Sequence, residues 1–418
     1  MEKTKVPWYH LTLIILAAES IFFLPYVLSR IFRPTVLDVF QIDNVELGIC
    51  FSVYGLVAIV SYLFGGPIAD RFPARKLISW ALWLTALGGV YYATFPNYIG
   101  LKILYGYWGF TSVFLFWAPM IKATRMWGTS SSQLRAFGFL EGGRGLVGAA
   151  LGTLGVAIFA LFDNNNITAI HLEESRSAFK YVIYFSSFFV AFVGGLIWFF
   201  MKFNGDKEKS VVTNKISIKQ IKSVLKMPSV LLLMVIVLCA YMGYKTTDVI
   251  SLFSKEVMNY NEVKSAKVAT FLLYARPVVA IILAVFFIRI RITLLLSIGF
   301  VVSFFAALIF SFGLVSHSTV LLFVLSIIML SVGVYGLRAL YFAVMDKGKI
   351  PLIYTGTAVG LISIIGYAPD IFSGPLAGYF LDQYPGIQGY QYVFAVLALF
   401  SCIGAWASWK YHVMYGKS

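Results

Sequence analysis

The chain has 418 residues, 60% of them hydrophobic and only 12% charged, with a mean hydropathy of +0.85. A soluble domain carries about a quarter charged residues, so this composition excludes one and describes a polytopic membrane protein. The net charge of +15 does not mark a nucleic-acid surface, because most Lys and Arg fall in loops that a twelve-span reading puts on the inner side, the positive-inside pattern of a protein facing anionic headgroups.

Apolar runs long enough to span a bilayer fall near 8–31, 45–69, 77–95, 98–121, 135–162 and 179–203. The first lacks a small-residue cleavage site and is expected to be a retained helix. A Lys-rich polar stretch follows, in which Ile216, Ile218 and Ile221 predict a short amphipathic helix on the membrane surface. Six more runs lie near 228–253, 264–288, 292–315, 318–342, 352–380 and 390–413. The pattern predicts an all-α membrane protein with twelve transmembrane helices in two pseudo-symmetric six-helix bundles, 1–203 and 228–418. A cytoplasmic linker, 204–227, joins them, and both termini are expected in the cytoplasm. Cys50, Cys239 and Cys402 lie in apolar runs without paired spacing and read as small buried hydrophobes.

Between the second and third spans the chain reads Gly66-Pro67-Ile68-Ala69-Asp70-Arg71-Phe72-Pro73-Ala74-Arg75-Lys76. Small residues let helix ends approach closely, and the cations hold the hairpin on the inner side. The hairpin resembles the G-x-L-A-D-R-x-G-R-R/K signature of the major facilitator superfamily, with Ile68 for Leu and Pro73 for the second Gly. That resemblance implies alternating access without cofactor or nucleotide, and makes Asp70, Arg71 and Arg75 a cytoplasmic gate. The hairpin after the eighth span keeps only Arg289 and Arg291, so gating is expected to be asymmetric. No G-x-x-x-x-G-K-[ST] loop occurs. His10, His171, His317 and His412 are scattered, which argues against a membrane enzyme.

Glycines spaced by threes and fours in the fifth span, Gly138 to Gly155, clear a face for close packing or for rocking of the halves. The eleventh span has Gly366, Gly374, Pro375 and Gly378 and ends at Asp382. It is expected to break at Pro369.

A charge inside a spanning helix must be offset by pairing, water or a ligand. Six basic side chains lie in or near the spans, Arg30, Lys102, Arg144, Lys245, Arg276 and Arg338, against four acidic ones, Glu19, Glu141, Asp248 and Asp370. The cation excess points to an anionic substrate. Arg30 and Lys245 end equivalent first and seventh spans, each after tyrosines: Tyr26 for one, Tyr241 and Tyr244 for the other. Here the chain resembles the organophosphate:phosphate antiporter branch, which uses arginines of these two helices on phosphate. Arg30 matches the first, Gly243 stands where the second belongs with Lys245 two residues on, and Arg144 replaces a binding-site histidine.

The substrate set is therefore Arg30, Arg144, Lys245, Tyr26, Tyr241, Tyr244 and Arg276. The coupling and gating set is Glu19, Glu141, Asp248, Asp370, Asp70, Arg71 and Arg75. Alternatives stay open for several of these. Arg30 could snorkel as an interface anchor, Glu141 could merely bridge Arg144 along one helix, and Glu19 could sit in a buried pair with Arg144 or Arg276. Asp370 could cap a helix, and Arg338 reads as an inner-interface anchor. The expected function is secondary active transport of a small organic anion of sugar phosphate, sulfonate or carboxylate type, coupled to a proton or counter-anion. The protein is expected to be a monomer in the bacterial inner membrane, without enzyme activity, cofactor, metal or nucleic-acid partner. The alternative is an efflux pump or permease for amphipathic drug-like, lipid, neutral sugar or peptide substrates.

Overall fold

A computed structural model of the chain describes residues 7–127, 133–161, 172–202, 218–287, 290–348, 350 and 355–416. Hydrocarbon offers no water to satisfy backbone groups, so apolar runs of this length close their hydrogen bonds internally as helices. Every regular element among the described residues is helical. In chain order they are α1 (Trp8–Ile31), α2 (Arg33–Phe40), α3 (Asn44–Arg71), α4 (Ala74–Tyr92), α5 (Tyr98–Gly109), α6 (Trp117–Trp127), α7 (Gln133–Ala160) and α8 (Leu172–Phe200). They continue with α9 (Ile218–Leu225), α10 (Pro228–Thr246), α11 (Ile250–Glu256), α12 (Glu262–Phe286), α13 (Ile292–Ser311), α14 (Val320–Leu340), α15 (Thr355–Gly366), α16 (Pro369–Gln383) and α17 (Ile387–Tyr415).

Eleven helical segments among the described residues are long and apolar enough to cross a membrane. The segment expected as the third span forms the helix α4, but Arg75, Lys76 and its Trp and Tyr residues dilute its hydropathy and leave it outside the eleven, one fewer than the twelve expected. α9 lies where a surface helix was expected, although Ile216 is outside the described residues.

Two spans contain wide π turns. The first, Phe23–Val27 within α1, surrounds Pro25, which has no N–H to donate and whose ring crowds the carbonyl four residues earlier. A wider turn absorbs the mismatch without ending the helix. The second, Phe110–Phe114, continues α5 before a short turn leads into α6. Tyr26 of the first turn packs edge-on against Tyr54, with centroids 4.7 Å apart. The Tyr54 hydroxyl meets Ser112 Oγ of the second at 2.5 Å, so one string of side chains ties the two irregular turns together.

Contacts divide the chain into two compact units. One comprises Met1–Ile42, Val53–Thr213 and Glu262–Tyr274; the other comprises Asp43–Ser52, Asn214–Asn261 and Ala275–Ser418. In the first, α1 packs on α7 and α8, and α4 on α8. The α7 glycines seat α1: a Cβ at Gly143 would meet Ile15 at 2.6 Å, and one at Gly152 would meet Ile31 at 2.8 Å. In the second, α10 packs against α15 and α17, and α13 against α17, around Leu233, Ile236, Val237, Phe300 and Tyr411.

The second unit also holds a joint between the first turns of α3 and the end of α16. A Cβ at Gly48 would lie 2.4 Å from the carbonyl carbon of Gly374, and one at Gly378 would lie 2.4 Å from the Asn44 carbonyl oxygen. Such glycines let helices pack with backbones in contact, which in a bilayer replaces hydrophobic drive. Asp382 completes the joint. Its carboxylate accepts from Asn44 N at 3.3 Å, Asn44 Nδ2 at 2.9 Å and Val45 N at 2.8 Å, capping the positive end of α3 from another helix. Ser52 adds a bond to the Ile371 carbonyl.

Candidate functional site

Intramembrane charges collect in two clusters, one in each unit. In the first, Arg144 of α7 is 5% exposed. Its Nε donates to Glu19 Oε2 of α1 at 3.2 Å, and its Nη1 to Glu141 Oε1 at 2.8 Å. The Phe22 ring lies 5.5 Å from the guanidinium carbon. Glu19 is buried, and a Cβ at Gly148 would come within 2.9 Å of its Oε1. The glycine therefore makes room for the carboxylate as well as for the helix. Of the cations considered for Glu19, the structure supplies Arg144. The Glu141–Arg144 bridge along one helix is also present.

Arg30 follows the π turn of α1 and is 1% exposed, so its side chain does not reach out to an interface. Beside it, Ser29 Oγ lies 3.0 Å from the Tyr105 hydroxyl. Tyr26 takes part in the aromatic contact with Tyr54 described above.

In the second unit, Lys245 of α10 is 5% exposed. Its Nζ lies 3.1 Å from Asp248 Oδ2 and 3.5 Å from Asp370 Oδ1, with the Phe51 ring 4.8 Å away. The chain narrows to a 3-10 turn over Thr247–Val249, a conformation that eclipses residues three apart and favours the Lys245–Asp248 pairing. Asp370 sits in the first turn of α16, after a break at Tyr367 and Ala368. Pro369 has no N–H to offer the carbonyl four residues earlier and its ring crowds that carbonyl, which explains the break although Ala368 keeps right-handed helical angles; the helix N-terminus then favours an acidic residue.

The Tyr241 hydroxyl donates to both Asp370 oxygens, at 3.0 and 3.2 Å. Its ring stacks on Tyr244 and meets Tyr367 edge-on at 4.8 Å. The Arg338 guanidinium of α14 lies 4.0 Å over Tyr244 and 5.8 Å from Tyr241. The sequence reads Arg338 as an interface anchor; the structure adds two aromatic faces beside it. Its one visible signal was its isolation as a charge in the run near 318–342.

The remaining expected residues are dispersed. Arg276 is buried on α12, one residue before Pro277. Arg75 donates from Nη1 to the Trp198 carbonyl at 3.2 Å and lies 5.6 Å from that ring, a basic group at the last turns of α8. Arg71 is exposed, while the Asp70 side chain and Arg289 lie outside the described residues. The end of α3 is held by Lys122, which is buried and donates to the Ala69 carbonyl at 2.9 Å. Among the described residues no group of His, Cys, Asp and Glu is arranged to hold a metal ion.

This arrangement fixes ionic groups within helical bundles. Two comparisons of sequence and two of structure agree with that picture. Inner membrane protein YihN of Escherichia coli is 29% identical over 419 residues, covering 96% of this chain and 94% of that protein. Inner membrane protein YqcE of the same organism is 25% identical over 393 residues, covering 92% and 89%. A bacterial homolog of the human lysosomal transporter Spinster, inward-facing and occupied, superposes with a TM-score of 0.69 at 14% identity, covering 98% of this chain and 97% of that one. The nucleoside transporter NupG gives 0.68 at 14% identity, covering 95% and 99%. At that identity the likeness concerns the fold. Residues 12–373 match the family model of the Major Facilitator Superfamily, and the chain, an all-helical multi-pass membrane transporter, belongs to that superfamily.

Proposed function

We propose that the protein moves a small organic anion across the bacterial inner membrane by alternating access, as a monomer of twelve spans with both termini in the cytoplasm. The bundles would be 1–203 and 228–418, joined by 204–227. The substrate class is a sugar phosphate, sulfonate or carboxylate, and the coupling species a proton or a counter-anion. The membrane follows the names of YihN and YqcE, both called inner membrane proteins.

The observation that carries the anion reading is the burial of cations inside the spans. Arg30, Arg144, Lys245 and Arg276 are each at most 6% exposed. A cation that reached the headgroups would cost little; one kept inside is retained for pairing or for a ligand. The four acids of the spans lie on Arg144 and Lys245, and Arg30, Lys102, Arg276 and Arg338 add further positive charge to the same spans. Arg338 over Tyr244 and Tyr241 offers an organic anion both charge and an aromatic wall. Because Gly243 occupies the place of the branch's second arginine, strict phosphate exchange is not part of the proposal.

The test is a thermal-shift screen of sugar phosphates, sulfonates and carboxylates on the purified protein and on Arg30→Ala and Lys245→Ala. A transported anion should raise the melting temperature of the wild type and of neither variant. If no anion of the three classes stabilises the wild type, the reading fails.

A further inference from the structure

Arg144 is held by two carboxylates that differ in their freedom to leave. Glu19 comes from another helix, its side chain is 4% exposed, and it is packed on the bare backbone at Gly148. Withdrawing it would leave a buried charge with its partner removed, the costly way to break a buried pair. Glu141 comes from α7 itself, three residues before Arg144, and its side chain is 46% exposed. A pairing along one helix at this spacing is a weak tether, and a half-exposed carboxylate that swings away is taken up by water. The neighbouring surface is open: a Cβ at Gly142 would meet nothing within 4 Å.

We propose that Glu141 is a place-holder for the substrate. On binding, an oxyanion of the cargo displaces the Glu141 carboxylate from Nη1 of Arg144, while Glu19 keeps Nε and holds the guanidinium plane. The exchange replaces one anionic oxygen by another of the same kind, so the guanidinium keeps its charge-assisted bonds before, during and after transport. A neutral solute cannot make this replacement, because it would leave the cation poorly matched. Glu141 therefore acts as an internal competitor that selects for negative charge and keeps affinity low enough for release.

The proposal rests on the organic-anion reading, and its test separates the two. Binding of glucose 6-phosphate, 2-hydroxyethanesulfonate and gluconate is measured by calorimetry on the full chain in detergent, for wild type, Glu141→Gln and Glu141→Asp. Whichever probe binds the wild type should bind Glu141→Gln on the order of tenfold more tightly, the lower end of what a hydrogen bond to a charged group contributes. Glu141→Asp, shorter but still charged, should fall between. In proteoliposome counterflow the same Gln variant should show a lower KM together with a lower kcat, because release slows. A purely structural role for Glu141 would not lower KM. If a probe binds the wild type and Glu141→Gln leaves its affinity unchanged or weaker, the place-holder is overturned and the anion reading stands. If none of the probes binds any of the three proteins, the place-holder loses its ligand class and is overturned together with the anion reading.

Discussion

Asp382 offers a measurement of how firmly the α3–α16 joint is closed. Replacing it by Ala removes an acceptor shared by Asn44 N, Asn44 Nδ2 and Val45 N. Loss of a helix N-cap costs about 0.5–2 kcal/mol, and loss of a negative charge from a helix N-terminus about 0.3–1 kcal/mol more. At 1.4 kcal/mol per decade, the resulting 1–3 kcal/mol corresponds to an opening equilibrium about five- to 150-fold more favourable. The joint carries its own reporter, because Cys50 is buried two residues after Gly48. With Cys239 replaced by Ala and Cys402 by Ser, the rate of N-ethylmaleimide labelling at Cys50 reads the opening directly. Asp382→Ala should accelerate it by that factor. Asp382→Asn, which keeps one carbonyl oxygen and loses the charge, should give an intermediate rate. A monodisperse Asp382→Ala protein whose Cys50 labels within twofold of the parent rate would refute the view that this carboxylate holds the joint shut.

Other perturbations separate fixed from exchangeable contacts. Glu19→Ala removes from buried Arg144 its buried interhelical carboxylate and should destabilise by about 3–5 kcal/mol, whereas Glu141→Ala, at a half-exposed pair, should cost less than about 1 kcal/mol. Equal shifts in thermal unfolding would contradict that ranking. Tyr241→Phe removes the donor to both Asp370 oxygens and should lower stability by about 1.5–3 kcal/mol, read in the same assay. Lys122→Met leaves the Ala69 carbonyl without its buried donor and should increase protease cleavage of the hairpin at Arg71 and Arg75; an unchanged digestion pattern would mean that the tie is dispensable.

Helices were legible from hydropathy because a bilayer accepts few alternatives. The observed ends of α1 and α17 lie within a few residues of the expected runs, while α10 starts at Pro228 as expected and stops at Thr246, the 3-10 turn and α11 carrying the segment on to Glu256. The break before α16 was legible from Pro369, yet Pro25 gave no warning that α1 would widen to a π turn rather than stop. Local pairs such as Glu141–Arg144 follow from helical spacing. Contacts between distant segments do not: Asp382 reads in the sequence as the end of a helix, and its partner Asn44 lies 338 positions away. Arg30 was ambiguous because its distance from Trp8 allows the side chain to reach an interface. Its burial, at 1% exposure, removes that option. For Arg338 the position near a helix end is that of an anchor, and only the fold brings Tyr244 under it.

The two charge clusters share a construction that composition alone conceals. In the first unit, Arg144 takes one carboxylate from its own helix α7, Glu141, and one from α1, Glu19. In the second unit, Lys245 takes Asp248 from the 3-10 turn that continues its own helix α10, and Asp370 from α16. Each cluster thus cross-links two helices of its own unit. A single charge joining two helices inside a bilayer must keep its partners or be costly, so each cross-link resists separation of its own helices. The carboxylate that comes from the cation's own helix differs between the clusters: Glu141 is half-exposed, whereas Asp248 is buried. Withdrawing a buried carboxylate from a buried cation is costly, so the exchange proposed for Glu141 does not extend to Asp248.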